Sequence, residues 1–198
     1  MASPAALVTD RPQAQPKPVT GVTVIAGLMA LWCIGFVVVN VVFESTGHFD
    51  DGPYAEYASG ITVMNWLVVG LKVLGAGVAL LSVANHPRFL SPALMTVMVW
   101  GAFATLGVYA LGSVAQAVGM IAGLTGTADQ VDVVGMGYVL FFLLGAAGFG
   151  VLAISYWRRH RVRKRFAVLG VLGAPMVLGL ILLVVPTLLA ALELMPAP

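Results

Sequence analysis

A chain of 198 residues in which 60% are hydrophobic and only 9% charged has too little polar surface for a soluble fold, where roughly a quarter of residues carry charge. Lipid supplies a solvent for such a chain, so composition places it in a membrane. The net charge is only +2 and the one basic cluster lies between two apolar runs, so nucleic acid is not an expected partner. The single cysteine, Cys33, rules out an internal disulfide and a cysteine-based metal site.

The length suggests one domain, and the chain reads as a series of spans. Residues 1–19 include Pro12, Pro16 and Pro18 and lack any core-forming pattern, which predicts a disordered tail. The first apolar run covers residues 21–43. It begins well inside the chain and is followed by Glu44-Ser45-Thr46 rather than a small-residue cleavage site, so it reads as a retained helix. Further apolar runs cover residues 61–84, 92–123, 134–157 and 166–190. Each exceeds the roughly 20 residues that cross ~30 Å of hydrocarbon. The third is long enough to tilt or to end in water. The fifth contains Pro175 and Pro186, which free backbone carbonyls and predict a bend, with a re-entrant or frayed end as the alternative. The expected fold is therefore an all-α polytopic bundle of about five transmembrane helices within residues 20–192.

Orientation follows from the basic residues. Arg158, Arg159, Arg161, Arg163, Lys164 and Arg165 lie between the fourth and fifth spans with no acid among them. Arg88 and His86 lie between the second and third spans, and Arg11 and Lys17 lie in the tail. Five spans place all of these on one side. The other side receives Glu44, Asp50, Asp51, Glu56, Asp129, Asp132 and Glu193 and no lysine or arginine. The N-terminus is expected in the cytoplasm and the C-terminus outside. The basic cluster reads either as a topology determinant or as a contact for anionic lipid, each cation near the surface contributing ~1 kcal/mol. Tyr156 and Trp157 at its edge have the character of interfacial anchors.

One charge is misplaced. Lys72 lies near the middle of the second span, ~17 Å from either end at 1.5 Å per residue. That is beyond the reach of a snorkelling lysine. Asn65, Lys72, Gly75, Ala76 and Ala79 share one face of that helix, opposite Leu67, Leu71, Leu74, Val78 and Leu81. The small-residue face suits helix contact, so Lys72 is expected to point inward. On the third span, Thr105, Tyr109, Gly112, Gln116, Gly119 and Gly123 share a face. Antiparallel depth matching sets Tyr109 near Lys72 and Gln116 near Asn65. Asn40 lies at the outer end of the first span. These residues predict an outward-leaning polar cluster of Lys72, Asn65, Tyr109, Gln116 and Asn40, with Glu44 above it. Within the chain no acid sits at the depth of Lys72, so its counter-charge is a ligand, a partner or absent. The plain structural alternative is that these groups simply bond neighbouring helices.

No enzyme signature stands out. His48, Asp50, Asp51 and Glu56 form a loose outer group without metal-ligand spacing. No catalytic residue, metal site or cofactor is expected. The glycines of the fourth span, Gly145, Gly148 and Gly150, read as packing positions.

Lys72 within an apolar helix, the stretches Trp100-Gly101 and Tyr109-Ala110-Leu111-Gly112, and the ending Tyr156-Trp157-Arg158-Arg159 together resemble small actinobacterial multi-pass membrane proteins of a domain-of-unknown-function family. The resemblance covers about residues 25–160. It implies a bacterial plasma-membrane location and no particular activity, and it leaves the fifth span as an addition. The expected function is binding of a small ligand, lipid or ion at the polar cluster around Lys72, within a transport or sensing system. The alternative is an accessory subunit, in which Lys72 pairs with an acid on a partner membrane protein or a second copy. A membrane-embedded enzyme is the third reading.

Overall fold

The computed structural model describes residues 17–48, 55–84, 90–127 and 132–191. Most of the expected disordered tail lies outside these residues, as do Asp50, Asp51, Asp129 and Glu193 of the acidic side and His86 and Arg88 of the basic side.

All the regular structure among the described residues is helical. Five long helices follow one another: α1 (Thr20–Ser45), α2 (Ala58–Val83), α3 (Pro92–Ile121), α4 (Val133–His160) and α5 (Lys164–Ala191). A single 3-10 turn, Ala55–Tyr57, leads into α2. All five are long and apolar enough to cross a membrane. The protein is a multi-pass membrane protein built as a helical bundle.

Local sequence sets the helix ends. Ser91 caps α3, its hydroxyl accepting from the Leu94 N–H at 3.2 Å with Pro92 in the first turn. Asp132 caps α4 through Gly135 N–H at 2.7 Å. Beyond α3 the chain turns at Gly123, whose φ of 69° suits glycine. Pro175 and Pro186 lie inside α5, which runs on through both. The re-entrant alternative is therefore not what this span adopts.

The basic segment is tighter than the sequence suggests. Arg158, Arg159 and His160 form the last turn of α4, and Lys164 and Arg165 already belong to α5. Arg161 turns the chain in a left-handed conformation, φ 48° and ψ 37°, with its N–H donating to the Trp157 carbonyl. The Trp157 indole N–H braces the same turn by donating to the Val162 carbonyl at 2.7 Å.

Packing departs from the expected neighbours. α1 lies along α2, α3 lies along both α4 and α5, and α1 meets α4 to join the two groups. α2 meets α3 and α4 over short stretches only, although matching polar faces led to the expectation that α2 and α3 pair along their length. The reason is steric. The small face of α2 is taken by α1 and α4: a Cβ on Gly75 would meet Cys33 Sγ at 3.2 Å and the Phe149 ring at 3.7 Å. Two glycines of α4 face α1, where a Cβ on Gly145 would stand 2.8 Å from the Trp32 ring and one on Gly148 would collide with Met29, while Gly150 faces Phe103 of α3. α5 reaches α3 through Gly170, where a Cβ would stand 2.5 Å from the Val97 carbonyl. Where hydrocarbon surrounds every helix, close backbone approach decides who packs with whom.

The densest packing lies toward the basic end, where Met95, Val99, Phe149, Leu152, Ala153 and Tyr156 are buried together with Val78. Two expectations change here. Val78 belongs to the core rather than the lipid face, and Tyr156 is core rather than an interfacial anchor, being 3% exposed.

Candidate functional site

Lys72 points into the bundle and is 9% exposed. Its surroundings are aromatic rather than polar. The ammonium nitrogen lies 3.8 Å from the Trp32 ring centroid, 4.5 Å from Phe36 and 5.1 Å from Phe142. Phe141 stacks on Trp32 at 4.8 Å and stands edge-on to Phe142 at 5.5 Å, closing the cage from behind. Among the described residues neither Lys72 Nζ nor the nearby Trp32 Nε1 has a hydrogen-bond acceptor.

Sequence builds this cage by spacing. Trp32 and Phe36 are four residues apart on α1, one helical turn, so their rings stack down one stripe. Phe142 enters from α4, where Gly145 one turn further along leaves space for the Trp32 indole. Magnitudes explain how a charge survives here. A lysine at mid-membrane costs ~2.5–3.5 kcal/mol on insertion scales. A desolvated cation over a tryptophan face recovers ~2 kcal/mol or more, and the two phenylalanines add to it. The cage offsets most of the burial cost without a carboxylate, so Lys72 has no need of a counter-acid at its own depth.

Nearer the acidic end of the same α1–α2 seam lies a second group. Asn65, 6% exposed, donates from Nδ2 to the Asn40 main-chain carbonyl and to Glu44 Oε2, both at 3.1 Å. Asn40 in turn donates to the Phe36 carbonyl at 2.7 Å. Glu44, Asn65 and Asn40 thus form a hydrogen-bonded ladder that ends at the residue whose ring covers Lys72. Asn65 and Lys72 are two helical turns apart, ~10 Å along α2.

Two expected members do not join. Tyr109 is 56% exposed; its ring lies 4.3 Å from Phe142, which separates it from Lys72. Gln116 is exposed and lines a cavity of about 220 Å³ between α3 and α4, with Ser113, Asp132 and Tyr138 among its walls. The face of α3 that carries both residues is not turned toward α2, because α3 packs along α4 and α5.

At the opposite end, Arg159 departs from its basic neighbours. Its guanidinium donates to the Ser82 main-chain carbonyl in the last turn of α2, satisfying an acceptor that the helix itself leaves open. Arg158, Arg161, Arg163, Lys164 and Arg165 remain exposed.

Comparison with family models, with characterised proteins and with solved structures gives no match.

Proposed function

We propose that this chain is a non-enzymatic protein of the bacterial plasma membrane that binds a small ligand or ion along the α1–α2 seam, between Glu44 and Lys72, within a transport or sensing system. One observation carries the reading. In an otherwise apolar bundle, one seam holds a hydrogen-bonded polar ladder from a half-buried carboxylate at a helix end to the Phe36 main chain, and an amine two turns deeper beneath the Phe36 ring. Intramembrane polar groups are costly, and where they persist they mark ligand or ion paths. The reading of Lys72 as a hook for a partner's acid loses support, because its own chain surrounds the amine with rings.

The charge asymmetry supports an inside N-terminus and an outside C-terminus, which puts Glu44 on the outer face. The resemblance to small actinobacterial membrane proteins supports the bacterial location. The five exposed cations around Arg161 suit both a topology determinant and contact with anionic headgroups of the inner leaflet. A C-terminal alkaline phosphatase fusion is expected to be active and a fluorescent-protein fusion dark; the reverse pattern overturns the orientation.

The binding test uses Trp32 as reporter, since the amine lies 3.8 Å from its ring. Protein in lipid nanodiscs, with Trp66, Trp100 and Trp157 changed to Phe, is titrated with alkali cations and with small carboxylate and phosphate anions. Saturable shifts in Trp32 emission, matched by a rise in the thermal midpoint of the unmodified protein, are expected for at least one class, and are lost in Asn65→Leu for a cation or in Lys72→Met for an anion. No response in either readout overturns the seam as a binding site.

A further inference from the structure

We propose that the outer end of the seam is a site for a monovalent alkali cation such as sodium, held by the Glu44 carboxylate, the Asn40 main-chain carbonyl and the Asn65 side-chain amide. This rests on the seam reading above and names its ligand.

The first observation is convergence. Glu44 Oε2 and the Asn40 carbonyl oxygen both lie 3.1 Å from one atom, Asn65 Nδ2. A main-chain and a side-chain oxygen from successive turns of α1 are therefore aimed at a single point, and an N–H donor occupies it. The two ends of a primary amide have nearly the same shape. A half-turn about the Asn65 Cβ–Cγ bond puts Oδ1 in place of the donor, and three oxygens then border one position between the two helices, where a cation can sit. Hard oxygen ligands, with solvent completing the shell at the outer boundary, suit a hard cation, and a divalent ion usually demands more carboxylates.

The second observation is electrostatic. Glu44 sits in the last turn of α1, which carries no basic residue. That end of the helix is the negative end of its dipole, so a carboxylate is disfavoured and a cation is favoured. No lysine or arginine occurs anywhere between Lys17 and Lys72. The carboxylate is half-buried, and across the seam it meets only the neutral Asn65 amide among the described residues. One bound monovalent cation neutralises it.

The third observation is the floor of the site. The caged amine of Lys72 lies two turns deeper, ~10 Å along α2. A fixed positive charge there keeps a cation at the outer position and weakens its binding. At an effective dielectric near 20, two unit charges about 10 Å apart repel enough to reduce affinity roughly tenfold.

The experiment uses the full chain in phosphatidylcholine nanodiscs, with sodium chloride exchanged for N-methylglucamine chloride at constant ionic strength. The thermal midpoint and the Trp32 emission are both read. A saturable sodium-dependent rise is expected for the wild type. Glu44→Gln and Asn65→Leu abolish it, while Asn40→Ala keeps it because the ligand there is the main chain. Asn65→Asp tightens binding by adding charge, and Lys72→Met tightens it roughly tenfold by removing the repulsion. Equal midpoints in sodium and N-methylglucamine overturn the proposal. So does a full sodium response in an Asn65→Leu protein that is folded by size exclusion and circular dichroism. A response to small anions that is lost in Lys72→Met, with none to sodium, overturns the cation and leaves the seam as a binding site. A response to pH alone also overturns it and assigns a proton to Glu44. Silence toward every ion overturns both readings.

Discussion

Removing Trp32 from above the Lys72 amine tests the cage directly. Trp32→Leu deletes the closest of the three rings, at 3.8 Å. It also loses packing against Gly145, where the indole fits a space with no room for a Cβ. The packing loss alone is worth ~3 kcal/mol for a large aromatic side chain cut down in a core. A further ~2 kcal/mol is lost because the ammonium keeps its desolvation cost without its best partner. Lys72→Met removes that cost, ~2.5–3.5 kcal/mol. It gives up the ring contacts and recovers part of them through sulfur–aromatic contact, ~0.3–1.5 kcal/mol. The single Lys72→Met protein is thus expected to be as stable as the wild type or more stable by ~1–2 kcal/mol. Trp32→Leu costs ~5 kcal/mol in the wild type and ~3 kcal/mol in the Lys72→Met background, a coupling of ~2 kcal/mol. The assay is reversible unfolding in mixed micelles followed by far-ultraviolet circular dichroism, since Trp32 is itself removed. A coupling within ~0.5 kcal/mol of zero, the usual spread for independent sites, refutes the cage as the support of the charge.

Changes at three other positions probe the architecture. Gly170→Leu places side-chain atoms where the Val97 carbonyl and the Trp100 Cβ already stand. It is expected to cost ~2 kcal/mol and to expose α5 amides to hydrogen exchange before those of the other helices. Arg159→Met withdraws the cap from the Ser82 carbonyl, with an expected loss of ~1.5–3 kcal/mol, the range for a hydrogen bond to a charged group. Faster exchange confined to the last turn of α2 checks it. Arg161→Gly relieves a left-handed residue, φ 48°, and is expected to raise stability by ~1 kcal/mol, whereas Arg161→Val lowers it; thermal midpoints decide both.

How much of the site was legible depends on contrast. Asn65 and Lys72 stand out because a polar residue in an apolar helix is conspicuous, and the 100° step fixes which face it occupies. Antiparallel depth then brings Asn40 and Glu44 to the level of Asn65, and their hydrogen bonds follow. Trp32 and Phe36 lacked such contrast, being apolar side chains in an apolar span. One signal was present: Trp32, Phe36, Asn40 and Glu44 recur every four residues, a single ridge facing the ridge that carries Asn65 and Lys72. Nothing comparable marks Phe142. Tyr109 and Gln116 show the opposite failure, since a polar face on α3 is visible in the sequence but its neighbour is not.

Hydropathy and the spacing of charges by themselves determined five spans, their approximate limits and the inward turn of Lys72, because transfer into hydrocarbon and helical periodicity act on each segment alone. Only the tertiary structure decided that α4 and α1, rather than α3, surround the amine, and that rings rather than acids hold it. Helix pairing in lipid depends on how closely particular backbones approach at Gly75, Gly145 and Gly170. That choice is made between segments, so no single segment records it.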